Sequence, residues 1–87
     1  MTTLETKEPA VGAIGAYFVG NRFHISLSDG REVSVPIDKI PWLDWLAKAP
    51  KEDQINWTLE PNGFAIYWDD LDNGIEISHL LGSKPLI

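Results

Sequence analysis

The sequence predicts an α+β fold: an antiparallel β-meander plus a second β-hairpin, one face covered by a short Trp-rich helix, and a small C-terminal helical turn. Three observations carry this. Apolar residues alternate with polar ones between Ile14 and Ile37, the period of strands with one face on a core and one toward water. Trp42, Leu43, Trp45, Leu46 and Ala49 then recur at helical spacing. Turn signals separate the runs at Gly20-Asn21, Ser28-Asp29-Gly30 and Pro61-Asn62-Gly63.

Residues 1–12 are polar, contain Pro9 and show no apolar period, so they are expected to form a mobile tail. Strand one carries Ile14, Ala16 and Phe18 on one face. A two-residue Gly20-Asn21 loop pairs Phe18 with Phe23, Ala16 with Ile25 and Ile14 with Leu27, so that every apolar residue meets another. The next connection discriminates between two registers. A two-residue Asp29-Gly30 turn would set Leu27 against Glu32 and Ile25 against Ser34. A three-residue loop, Ser28-Asp29-Gly30, instead sets Ile25 against Val33 and Phe23 against Val35. The second register keeps the apolar face and requires a left-handed Gly30 closing a G1 bulge.

Pro36 weakens the end of strand three, Pro41 suits a first helical turn, and Pro50 stops the helix. Trp42 and Trp45 are expected to lie as a lid over the sheet. Residues 51–56 add one further helical turn. The second hairpin is expected to pair Leu59 with Phe64 and Trp57 with Ile66. A short strand Gly74–Ile77 and a helical turn Ser78–Leu81, capped by Ser78 and ended by Gly82, complete a single domain over 13–82. Residues 83–87 form a C-terminal tail.

At 87 residues one domain is the natural content. With no cysteine there is neither a disulfide framework nor a thiolate metal site, so four Trp, three Phe and two Tyr must supply the core. A formal net charge of −6 argues against nucleic acid and against an anionic membrane surface as partners. No apolar run reaches the ~18–20 residues of a membrane span, and the N-terminus lacks a signal-peptide pattern, so a cytoplasmic location is expected.

Candidate chemistry is sparse. The acidic stretch from Asp69 to Glu76 is the one dense polar cluster, and oxygen-rich clusters can hold Ca²⁺ or Mg²⁺. The calcium-loop template nevertheless fails, since Leu71 falls at its third position and Leu80 where a bidentate Glu belongs. The blander expectation is a solvated loop whose Asp and Asn side chains brace turns, or a negative patch facing a basic partner. His24 and His79 have no metal-ligand spacing, the serines have no triad motif, and no phosphate-binding glycine pattern occurs. No catalytic residue, cofactor or metal is therefore assigned.

The order of Ser28-Asp29-Gly30-Arg31-Glu32-Val33, Pro36, Pro41-x-Leu43, Asn56-Trp57, Ile66-Tyr67-Trp68, Leu71-Asp72, Ile75-Glu76-Ile77-Ser78 and Leu80-Leu81-Gly82 resembles the bacterial family called domain of unknown function 2442. The likeness spans about residues 13–82. It implies a small α+β domain, sometimes fused to a helix-turn-helix segment, from mobile or toxin–antitoxin-like gene neighbourhoods and without an established activity. The chain departs from the family pattern at Asp69, where members often carry Pro, and at Asn73-Gly74, where they often continue an acidic run. Only the short N-terminal tail stands ahead of the domain in this sequence, so a DNA-binding role borrowed from fused relatives is not expected.

A non-enzymatic protein-interaction module is the expected function, with a second copy of the chain in a two-fold dimer, or another protein, as partner. Tyr17, Tyr67, Leu86 and Ile87 are the candidate contact residues. The alternative is a small-ligand or divalent-cation domain using Asp70, Asp72 and Glu76.

Overall fold

The computed structural model describes residues 11–82, so most of the predicted N-terminal tail, the C-terminal tail, and with it Leu86 and Ile87, lie outside the described residues. Strands β1 (Ala13–Val19), β2 (Arg22–Leu27) and β3 (Glu32–Pro36) form an antiparallel meander. After a 3₁₀ turn at Pro41–Leu43 come two one-turn helices, α1 (Asp44–Ala47) and α2 (Lys51–Gln54). Strands β4 (Thr58–Leu59), β5 (Ala65–Trp68) and β6 (Asn73–Glu76) form a second antiparallel sheet, and α3 (Ile77–Gly82) closes the described chain. The expected second hairpin is thus a second three-stranded meander. Helix α3 starts one residue before Ser78, which is therefore not its cap.

The β2–β3 connection has the three-residue form. Ile25 opposes Val33 and Phe23 opposes Val35. The Gly30 N–H donates to the Leu27 carbonyl at 3.0 Å, the Leu27 N–H donates to the Arg31 carbonyl at 2.8 Å, and Gly30 sits at φ 94°. That left-handed φ is what the bulge demands and what a side chain resists. Asp29 locks the loop by accepting the Arg31 backbone N–H at 3.0 Å and the guanidinium Nε at 2.7 Å. The backbone bond chiefly holds its carboxyl below the usual range.

In β1 the pairs Phe18–Phe23 and Ala16–Ile25 form as expected, but Leu27 faces Ala13 rather than Ile14. A register shift between Ala13 and Gly15 turns Ile14 outward, where it is 65% exposed, and Ala13 inward. The reason is a tight backbone seam. A Cβ on Gly63 would lie 2.1 Å from the Ala13 carbonyl oxygen, and one on Gly12 would lie 2.5 Å from that of Asn62. Only small residues fit where the start of β1 crosses the β4–β5 loop.

That loop also sets the second sheet's register. Asn62 (φ 63°) and Gly63 (φ 68°) are both left-handed, and the Glu60 N–H closes the loop on the Ala65 carbonyl at 2.9 Å. The longer loop carries Leu59 opposite Ile66 and Thr58 opposite Tyr67, not Leu59 opposite Phe64. Phe64 is consequently 53% exposed.

One core unites the two sheets. Phe23, Ile25, Leu27, Leu43, Leu46, Ile66, Trp68, Ile75 and Ile77 are buried together. Trp68 lies at its centre, its ring 5.6 Å from Phe23 and edge-on to Trp45 at 5.5 Å. Its indole N–H donates to the Gln54 carbonyl at 2.8 Å, and the Gln54 amide donates to the Leu46 carbonyl at 2.9 Å. Both buried donors thus find a backbone acceptor in the interior, as burial requires. The expected tryptophan lid forms in part: Leu43 and Leu46, three apart, point inward, and Trp45 packs half-buried on the core beside them. Trp42 is turned to the surface, edge-on to His79 at 4.7 Å. The central indole is supplied by Trp68 of β5, and Leu43 and Leu46 fill the space left beside it.

Candidate functional site

Two outward surfaces carry the residues singled out from the sequence. On the first sheet Tyr17 lies directly across from His24, and their rings stack at 4.7 Å and 4°. The Tyr17 hydroxyl donates to Glu32 Oε2 at 2.7 Å, and His24 Nδ1 lies 3.0 Å from the same oxygen. The hydrogen bond to Glu32 is the main reason the Tyr17 phenol is pushed above its ordinary value, since losing its proton would set two anions together.

Strand β1 is the outer strand of this sheet. Its two-residue hairpin makes Val19–Arg22 a hydrogen-bonded pair, and alternation then directs Tyr17 and Gly15 toward β2. The N–H and C=O groups of Ala16 and Phe18 point the other way and have no backbone partner among the described residues. Edge strands are normally blunted by charge or proline. The opposite edge, β3, has Glu32 and Pro36, but Ala13–Val19 has neither. Val19 is 60% exposed beside Tyr17.

On the second sheet the Tyr67 hydroxyl donates to Asp72 Oδ1 at 2.7 Å. Its ring lies over Gly74, where a Cβ would meet Cδ1 at 2.9 Å. The bond to Asp72 is the first cause of a raised Tyr67 phenol, followed by burial and by the charges of Asp72, Asp69 and Glu60. Asp72 itself is left-handed (φ 50°) at the end of the Asp69–Leu71 3₁₀ turn. Asp70 instead accepts from Asn56 Nδ2 at 3.1 Å, and Glu76 stands opposite Ala65. The structure therefore gives Asp70 and Asp72 separate bracing roles. Among the described residues no three His, Asp or Glu side chains gather to hold a metal ion. An open groove of about 460 Å³ runs past Glu60, Phe64, Tyr67, Gly74 and Glu76.

Tyr17 and Tyr67 thus belong to different sheets, each tied to its own carboxylate. Sequence reasoning missed Ile14 and Phe64, both assigned to the core and both exposed. The signal was present in the small residues beside them, Gly12-Ala13 and Gly63.

Together these features define a small α+β domain of two packed antiparallel meanders with an open groove on its surface. No helix among the described residues is long and apolar enough to cross a membrane. The family described as Protein of unknown function (DUF2442) matches residues 13–85, and the chain belongs to it. A crystal structure of a protein of unknown function from Rhodospirillum rubrum ATCC 11170 is similar, with a TM-score of 0.70 over 87% of this chain and 95% of that one. At 18% identity this likeness shows the fold alone. No curated protein matches the chain.

Proposed function

We propose that this domain is a non-enzymatic protein-interaction module that associates with a second copy of itself through β1. The observation that supports this is the seven-residue, uncharged, proline-free edge with open backbone groups at Ala16 and Phe18. A two-fold pairing centred on Tyr17 sets Ala16 against the second copy's Phe18 and forms four backbone hydrogen bonds, each worth about 1 kcal/mol net. It also brings the two copies' Tyr17 and Val19 faces together. Isologous pairing suits an uncharged strand, because the rest of a surface with net charge −6 repels its own copy.

Sedimentation equilibrium of the full chain tests the reading. The mass is expected to rise toward twice 9.7 kDa with concentration, and more readily at high salt, which screens the repulsion. Val19→Lys places a charge on the edge, and Ala16→Pro removes an N–H that β2 does not use; each is expected to leave the fold intact and the chain monomeric. A monomer at every concentration and salt, or a dimer unaffected by both variants, overturns the proposal.

A further inference from the structure

The groove on the outer face of the second sheet is separate from the β1 edge and has a different chemical character. Phe64, from the β4–β5 loop, and Tyr67, on β5, give it aromatic surface, and Gly74 and Ile75 on β6 complete its apolar lining. Glu60 and Glu76 stand among these residues. No lysine or arginine lines the groove, and neither glutamate enters an ion pair among the described residues. The Tyr67 phenol beside it is raised first by its hydrogen bond to Asp72 and by burial, with the charges of Asp72, Asp69 and Glu60 adding to these.

We propose that this groove is a docking site for an extended peptide segment of a partner protein, with an arginine side chain seated between Glu60 and Glu76 and against the Tyr67 and Phe64 rings. A planar guanidinium satisfies every feature at once: it stacks on aromatic faces, donates in a fork to carboxylates, and carries its weak hydration into a half-apolar cleft. A groove of about 460 Å³ accommodates one long side chain with flanking backbone. Phe64 gains a covering, which accounts for a large ring left exposed by the loop. Lysine is the poorer occupant, because its ammonium makes no fork and is more strongly hydrated.

The test is a titration of the ¹⁵N-labelled full chain with three capped tripeptides, acetyl-Ala-X-Ala-amide, in which X is arginine, lysine or citrulline. Citrulline keeps the shape of arginine and lacks the charge. The arginine peptide is expected to shift the amides of Ala65, Tyr67, Gly74, Ile75 and Glu76 saturably, more tightly than the lysine peptide, while the citrulline peptide gives no saturable shift. Glu60→Gln with Glu76→Gln is expected to weaken binding by tenfold or more. Glu52→Gln with Asp53→Asn, the same charge change on α2, leaves it unaltered. Shifts spread over all acidic surfaces, equal binding of citrulline, or no effect of the Glu60 and Glu76 changes overturns the assignment. Salt weakens this binding and strengthens β1 self-association, so the two proposals fail separately.

Discussion

Substituting alanine at three glycines separates the two causes of strain in this fold. Gly30 (φ 94°) has no atom within 4 Å of an added Cβ, so Gly30→Ala carries only the left-handed conformational cost, about 1–2 kcal/mol. Gly12 has no positive φ, but its added Cβ would lie 2.5 Å from the Asn62 carbonyl oxygen, so Gly12→Ala carries only the clash. Gly63 has both, with φ 68° and a contact of 2.1 Å to the Ala13 carbonyl oxygen. Relieving that contact moves β1 away from the loop by about 1 Å. The shift strains the Ser28 N–H bond to the Gly12 carbonyl (2.8 Å) and the Gly12 N–H bond to Ser28 Oγ (3.1 Å). Two such bonds at about 1 kcal/mol each, added to the conformational cost, bring Gly63→Ala to about 3–4 kcal/mol. A domain of this size holds only roughly 4–10 kcal/mol in total. Urea unfolding followed by tryptophan fluorescence measures all three, and thermal melts are expected to fall by about 4–8 °C per kcal/mol. If Gly63→Ala and Gly30→Ala cost the same, the seam is not a packing constraint and the explanation for the outward Ile14 is wrong.

Two further outcomes are expected. Trp68→Phe removes the indole donor from the Gln54 carbonyl and leaves a gap at the centre of the core, costing about 2–4 kcal/mol; a urea-unfolding loss below about 0.5 kcal/mol contradicts the anchoring of α2 through this bond. Both tyrosines donate to a carboxylate, and their folded pKa values lie above the unfolded value of 10.0. The stability this contributes is fully present below pH 10 and is lost as pH rises through the raised folded values. Tyrosinate absorbance of the native chain is therefore expected to titrate above that of the urea-unfolded chain, and coincident midpoints refute both hydrogen bonds.

Much of the first meander was legible in the sequence because its pairing is local. With Ser28-Asp29-Gly30 as the loop, a single register keeps Phe23 and Ile25 beside Val33 and Val35, and a slip of one residue turns an entire face to water. The turn residues and the apolar period agree there, with no distant part of the chain needed. The candidate surfaces were less legible. Tyr17 and Tyr67 were found by their outward placement, but the carboxylates that hold them come from β3 and from the turn before β6. Asp70, Asp72 and Glu76 are near neighbours in sequence, yet the left-handed residue at Asp72 and the strand at Glu76 direct them to different surroundings.

The sequence by itself determined the α+β class, the two hairpins of the first sheet, the left-handed Gly30 and the helical turns bounded by Pro41 and Pro50, since each rests on periodicity and short-range turn chemistry. Tertiary structure decided the rest. The crossing of Gly12-Ala13 over Asn62-Gly63 chose which residue of β1 faces inward and how far the β4–β5 loop extends. Residues so distant along the chain share no local signal, and the backbone separation at which they meet admits hydrogen atoms and no side chains.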